Sequence, residues 1–237
     1  LYGVTTGEEN TAIGRNANRG GNTSYCTAVG FNALENNTTN NITAVGHSAL
    51  RANTTGASNT ALGYLALTAN TTGTYCTAVG AYALDNNTTA NYNTGLGYGA
   101  LSSTTSGWGN TAAGFHAGVK ITSAWGCTTI GNDAGKEITT GQDNTCVGHN
   151  NSTALTTGTQ NTIIGVSAAG TLTTGGSNVC VGMNAGTNQL TTGSNQLYIG
   201  RSGVAAGNDE LWIYGGSLGQ CYQGNNSSTW SLSLIHI

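Results

Sequence analysis

The sequence contains no proline, one methionine and two phenylalanines, and only 6% of its 237 residues are charged. Each scarcity excludes a class. Leu, Ile, Val and Phe together make 40 residues, about 17% of the chain, too few for the Leu-rich core of a helical or α/β domain. Disorder driven by composition needs high net charge and usually proline, whereas the formal net charge here is −3. A charge so small and so evenly spread gives no electrostatic footprint, so neither nucleic acid nor an anionic membrane is expected as a partner. No run approaches eighteen apolar residues, so no membrane-spanning helix is expected. What fills the chain instead is Gly (38), Thr (40) and Asn (29), together 45% of it.

These residues recur at a fixed interval, and a fixed period overrides local guesses about secondary structure. A pattern Asn/Cys-Thr-small-aliphatic-Gly ends at Gly14, Gly30, Gly46, Gly63, Gly80, Gly97, Gly114, Gly131, Gly148, Gly165, Gly182 and Gly200. The intervals are 16 or 17 residues, with 18 for the last. An alanine stands three residues after most of these glycines, for example Ala33, Ala66, Ala100 and Ala134, and a Thr pair follows further on, as in Thr54-Thr55-Gly56 and Thr71-Thr72-Gly73. Seventeen residues are too few for a helical repeat or a propeller blade, but they suit one coil of a solenoid. The expected fold is all-β: a parallel β-solenoid, β-roll-like, of about twelve 17-residue coils over residues 1–200. Twelve rungs at about 4.8 Å make a rod on the order of 55 Å long.

Within a coil, Asn59-Thr60-Ala61-Leu62-Gly63 reads as a strand, and Tyr64-Leu65-Ala66-Leu67 as a strand or a single helical turn, with strand favoured. Thr-Thr-Gly and the Asn-rich stretches are turn chemistry. The residue before each repeat glycine is apolar (Ile13, Val29, Leu62, Leu96 and their equivalents), and the one before that is mostly small and apolar (Ala12, Ala28, Ala61, Cys146). Both faces of the strand therefore read as dry. One thin coil has only one interior, so self-association, with three copies as the economical symmetric form, is expected to cover the other face.

The repeats Asn-Thr-Ala-Val/Leu-Gly-x-x-Ala-Leu-x-x-Asn-Thr-Thr-Gly resemble those of long tail fibres in tailed phages and, more distantly, the head repeats of trimeric autotransporter adhesins. The phage resemblance covers residues 1–231. After the repeats, Asn208-Asp209-Glu210-Leu211-Trp212-Ile213-Tyr214-Gly215 and Gln220-Cys221-Tyr222-Gln223-Gly224-Asn225 are similar to the junction that precedes an endosialidase-type intramolecular chaperone domain. The resemblance implies a homotrimer, a junction at 201–231 leading to a self-cleaving chaperone domain beyond this chain, and a place in the virion after assembly in the host cytoplasm. No catalytic residue carries over. Leu1-Tyr2-Gly3 shows neither an initiator Met nor a signal-peptide core, so a fragment is expected. The last six residues, 232–237, resemble a translated sequencing-library adaptor and are set aside.

Candidate chemistry is sparse. General acid–base work on a sugar needs two carboxylates roughly 5 to 9.5 Å apart. Glu35 and Asp85 share a repeat position but lie three coils, about 14 Å, apart. Asp133 and Glu137 fall within one repeat, yet Glu35 with Arg51 and Lys120 with Glu137 occupy equivalent positions of adjacent coils, so neutralising pairs are the expected arrangement. There is no Cys-x-x-Cys, and Cys26, Cys76 and Cys127 share a slot that elsewhere holds Asn59, Asn93, Asn110 and Asn144. They read as free thiols in an interior Asn ladder, as a reducing cytoplasm permits. His47 and His149 follow their glycines but stand six coils apart, so only a threefold axis could assemble a metal site from either. No cofactor and no metal is expected.

Phe31, Tyr64, Tyr98 and Phe115 occupy the same position as those histidines and read either as a mostly buried packing ladder or as sugar-stacking rings. Asn37, Asn53, Asn70 and Asn87 open Asn-x-Thr sequons, which in a phage-like chain are turn residues. The expected function is a rigid, non-enzymatic fibre segment contributing to attachment to a host receptor or glycan. The alternatives are a bacterial surface adhesin head binding glycan or matrix, and an ice-binding solenoid. The last needs open Thr arrays, whereas Thr27, Thr43, Thr60 and Thr77 give one Thr per strand beside large aliphatics.

Overall fold

The computed structural model describes residues 7–187 and 190–200, together with the backbone of two strands at 211–214 and 220–223. Twelve three-residue strands come first: β1 (Thr11–Ile13), β2 (Thr27–Val29), β3 (Thr43–Val45), β4 (Thr60–Leu62), β5 (Thr77–Val79), β6 (Thr94–Leu96), β7 (Thr111–Ala113), β8 (Thr128–Ile130), β9 (Thr145–Val147), β10 (Thr162–Ile164), β11 (Val179–Val181) and β12 (Leu197–Ile199). Each pairs in parallel with the next without a slip in register, Thr on Thr from β1 to β10 and, in the third position, apolar on apolar throughout. The chain is a β-solenoid of about eleven turns, and no helix occurs among the described residues. β13 (Leu211–Tyr214) and β14 (Gln220–Gln223) then pair antiparallel, β13 along β12, so the parallel stack ends in a hairpin. The rest of the 201–231 junction and the 232–237 tail lie outside the described residues.

The segment after each repeat glycine is not the strand favoured from sequence. In the coil of β4 it is a chain of overlapping β-turns: Ala66 N–H donates to Gly63 O, Thr68 to Leu65 and Asn70 to Leu67, at 3.4, 3.3 and 3.1 Å. Leu65 and Leu67 take φ of +57° and +51° to make these turns. A left-handed Leu costs about 1–2 kcal/mol in isolation. Stacking offsets that cost, because Leu65 N–H donates to His47 O in the coil before and Leu67 N–H to Ala83 O in the coil after. Four residues of sequence cannot reveal this, since the conformation is imposed by neighbouring coils.

The repeat glycines form one column. Their φ lies between +124° and +147°, and each packs its backbone on the next. A Cβ at Gly80 would sit 2.5 Å from the Gly97 carbonyl oxygen, too close for any side chain.

Of the strand's two faces, only one is interior. Ala28, Ala44, Ala61, Ala78, Ala112, Cys146 and Ile163 are fully buried. The column before the glycines points outward instead, and Ile13, Leu62, Leu96, Ile130, Ile164 and Ile199 are 39–61% exposed in the single chain. A single coil thus has one interior, as expected, and the second apolar face is open in the single chain.

Two amide ladders run through the interior. Asn53 Nδ2 donates to Asn37 Oδ1, Asn70 to Asn53 and Asn87 to Asn70, at 2.8, 2.8 and 2.9 Å, and each also donates to a backbone carbonyl of its own turn. These four asparagines are completely buried, so the turn residues read from sequence are also core residues, and the folded chain offers none of them to a glycosylating enzyme. The second ladder is the one expected from sequence. Asn59 Oδ1 accepts from Cys76 N–H, Asn93 from Asn110 and Asn110 from Cys127, which satisfies polar groups that burial would otherwise penalise.

The first ladder stops after Asn87, and the core changes composition without changing shape. Its slot continues as Thr104, Ile121, Ile138 and Leu155, while the facing column runs Leu67, Leu84, Leu101, Gly118, Gly135, Ser152. Large aliphatics thus cross from one side of the interior to the other. A Cβ at Gly135 would come within 2.9 Å of Ile138 Cδ1 and 2.8 Å of Thr129 Cγ2, so Ile138 and Thr129 fill the space that Leu67 fills in its own coil. Close packing requires this conservation of volume.

Gly80→Val should therefore destabilise the chain by more than about 3 kcal/mol, as forced backbone strain does. Asn70→Ala, which orphans amide groups on both neighbouring coils, should cost about 2–3 kcal/mol. Denaturant midpoints check both, and a change under about 1 kcal/mol in either contradicts the stacking described here.

Candidate functional site

The outer surface carries the candidates, because the interior is closed. At the corner just after the glycines, Phe31, His47, Tyr64, Tyr82, Tyr98 and Phe115 form a continuous ladder with ring centroids 5.1–5.5 Å apart. In-register coils place these side chains about one rung apart, which is stacking distance. Tyr82 stands one residue later than the others and bridges Ala81, meeting Tyr64 and Tyr98 edge-on at 72° and 68°. Of the two readings from sequence, the rings form the packing ladder between coils but are not mostly buried, since Phe31, Tyr64, Tyr98 and Phe115 are 37–47% exposed. Where neighbouring planes lie within 30°, as for Phe31 with His47 and Tyr98 with Phe115, the ring faces are spent on each other and the edges meet solvent.

His47 is thus part of an aromatic stack, sandwiched between Phe31 and Tyr64. His149 is exposed six coils away. Among the described residues, no three His, Cys, Asp or Glu side chains come together as metal ligands would.

The acids are dispersed. Lys120 Nζ lies 2.6 Å from Glu137 Oε2, the pairing expected from their equivalent positions. Glu35 departs from expectation, since it pairs with Arg19 of the preceding coil at 3.5 Å rather than with Arg51. Asp133 has His116 Nδ1 at 3.9 Å and Lys136 Nζ at 4.0 Å and forms no pair with Glu137. These pairs lie at the surface with their acids half-buried, and surface pairs contribute at most about 1 kcal/mol.

A second corner, which lies just before each strand, was not singled out from the sequence. It carries the stacked pairs Tyr75–Tyr92 and Trp108–Trp125, with centroids 5.3 and 5.5 Å apart and planes within 2° and 7°. The 17-residue spacing of both pairs was the available signal. On the strand between the corners lie the outward Thr column and the aliphatic column. Thr43, Thr60 and Thr111 are exposed there and Thr27 and Thr77 half-buried, a more open arrangement than expected.

Cys26, Cys76, Cys127, Cys146 and Cys180 are free and buried. Desolvation raises the thiols of Cys76 to about 11 and of Cys146 and Cys180 to about 12, from an ordinary 9.0. Cys127 is raised by the same cause. At neutral pH these groups are protonated and enclosed, so they supply neither a nucleophile nor a metal ligand.

No protein-family model, curated protein or solved structure matches the chain.

Native protein at pH 8 should leave Cys76, Cys146 and Cys180 unlabelled by iodoacetamide, and unfolding in guanidinium should expose them. Because the fold raises these pKa values, the folded chain keeps protons that the unfolded chain gives up above 9. Their contribution to stability is therefore complete below pH 9 and is lost as pH rises from 9 through about 11 to 12. Melting temperatures that rise across that alkaline range would contradict it.

Proposed function

We propose that the chain is a rigid, non-enzymatic segment of a phage tail fibre, contributing to host attachment as a homotrimer in the virion. The observation that carries this reading is the outward apolar column of the parallel stack, in which Ile13, Leu62, Leu96, Ile130, Ile164 and Ile199 are 39–61% exposed and half-buried Val29, Val45, Val79, Ala113, Val147 and Val181 fill the rungs between. An apolar stripe of that length on an isolated chain is costly in water, and identical rods with the same period can cover it in register. The repeat motif's likeness to tail-fibre repeats points the same way. The acids are dispersed along the rod, with Glu35, Asp133 and Glu137 in cation pairs, which supports a role without chemistry of its own. Residues 201–231 would lead into the chaperone domain that assists assembly.

Equilibrium sedimentation of the full-length gene product tests the reading. The segment within it should assemble as three copies of its 23.8 kDa. Leu62→Glu combined with Leu96→Glu should give a monomer with an unchanged β-type circular dichroism spectrum. A soluble, folded wild-type monomer overturns the trimer.

The exposed aromatic ladder favours a second reading, a bacterial surface adhesin head that binds glycan or matrix along its length. Under it, Tyr64→Ala or Tyr98→Ala weakens attachment to cells while leaving assembly intact.

A further inference from the structure

We propose that the corner preceding the strands carries a saccharide-binding notch, formed by Tyr92, Gly109, Trp108, Trp125 and Asp143. A rod needs no ligand, so this goes beyond the structural reading above.

The notch is a gap in a column. At the corner position successive coils carry Tyr75, Tyr92, Gly109, Gly126, Asp143 and Gln160, each with positive φ and each donating its N–H to the coil before. Two glycines in succession leave two rungs without a side chain. Around Gly109 the space is open to the neighbouring coils, since a Cβ there would meet no atom within 4 Å apart from those of its chain neighbours Trp108 and Asn110. Around Gly126 it is taken by a carboxylate, because a Cβ would lie 2.5 Å from Asp143 Oδ1. Asp143 thus leans back over Gly126 toward the gap.

The walls have distinct chemistries. Tyr75 and Tyr92 are parallel and one rung apart, too close to lie side by side, so they stack face to face and the free face of Tyr92 looks over Gly109. The Trp108–Trp125 stack runs alongside, one residue earlier in the same two coils. Tyr92 is 58% and Trp108 52% exposed, and Asp143 is exposed with no cation within ion-pair distance among the described residues. From the Tyr92 ring to the carboxylate is about two rungs, roughly 10 Å. That length admits one pyranose ring, with its C–H face on Tyr92, its edge along the indoles and its hydroxyls donating to the Asp143 carboxylate. Aromatic faces with a few placed polar groups are what a small-ligand site requires. The Phe31–Phe115 ladder offers no such gap, because its rings continue through every coil from Phe31 to Phe115.

The test uses the assembled full-length protein on an array of bacterial cell-surface oligosaccharides, with tryptophan fluorescence titration of each binder found. Gly109→Tyr is the informative variant. The corner column tolerates Tyr at this φ, as Tyr92 at +60° shows, so the substitution should extend the Tyr75–Tyr92 stack and leave the fold intact while closing the notch. Binding should fall about tenfold or more in Gly109→Tyr and Trp108→Ala, as for central contact residues. It should fall less in Asp143→Asn and stay unchanged in Tyr98→Ala. Loss in Tyr98→Ala with retention in Gly109→Tyr places the sugar on the other ladder and overturns the proposal. So does the absence of any saccharide binding at millimolar concentration, or quenching by tetramethylammonium alone. Sedimentation of the same variants reads the trimer separately, so failure of the notch leaves the rod reading standing.

Discussion

The fold depends more on hydrogen bonding between coils than on the turn bonds within them. In the coil of β4, Gly63 and Leu65 donate to the coil before, while Thr60, Leu67, Ala69 and Thr71 donate to the coil after. A coil alone would have almost none of these bonds and would have to hold left-handed leucines unsupported. The repeat is therefore a condition of stability, and the exact register from β1 to β12 follows from it. The threonine hydroxyls extend the principle to side chains: Thr54 Oγ1 donates to Thr71 O and Thr71 to Thr88 O, each reaching one coil onward.

Stacking identical positions also decides what the interior can contain. A buried amide above another buried amide is satisfied at each step, which is why Asn ladders occur in so thin a core. Where the first ladder ends, Thr104 and Thr129 keep buried hydroxyls without a hydrogen-bond partner, marking the seam between the Asn-lined and the aliphatic halves. Across that seam the Leu column yields to glycine as Ile121 and Ile138 enter. The cross-section is held constant while its chemistry changes.

On the outside the same periodicity aligns whatever the sequence supplies, so rings become ladders and a missing side chain becomes a gap. The Tyr64–Phe115 ladder and the Gly109 notch have one geometric origin. In the first, an aromatic recurs at nearly every rung; in the second, two glycines interrupt a column that otherwise carries a side chain. The outward apolar column runs the length of the parallel stack, from Ile13 to Ile199.

The sequence by itself determined the period, the parallel stack, the glycine column, the Cys/Asn interior ladder and the Lys120–Glu137 pair. All of these depend only on identical residues recurring at one interval, and a constant rung converts that interval directly into contact. Only the tertiary structure decided that Leu65 and Leu67 lie in turns, that Asn37 to Asn87 are core, that Glu35 meets Arg19, and which strand face looks outward. Those outcomes depend on which way each side chain points. In a coil this short, direction is set by turn geometry that neighbouring coils impose, and no pattern within one repeat records it.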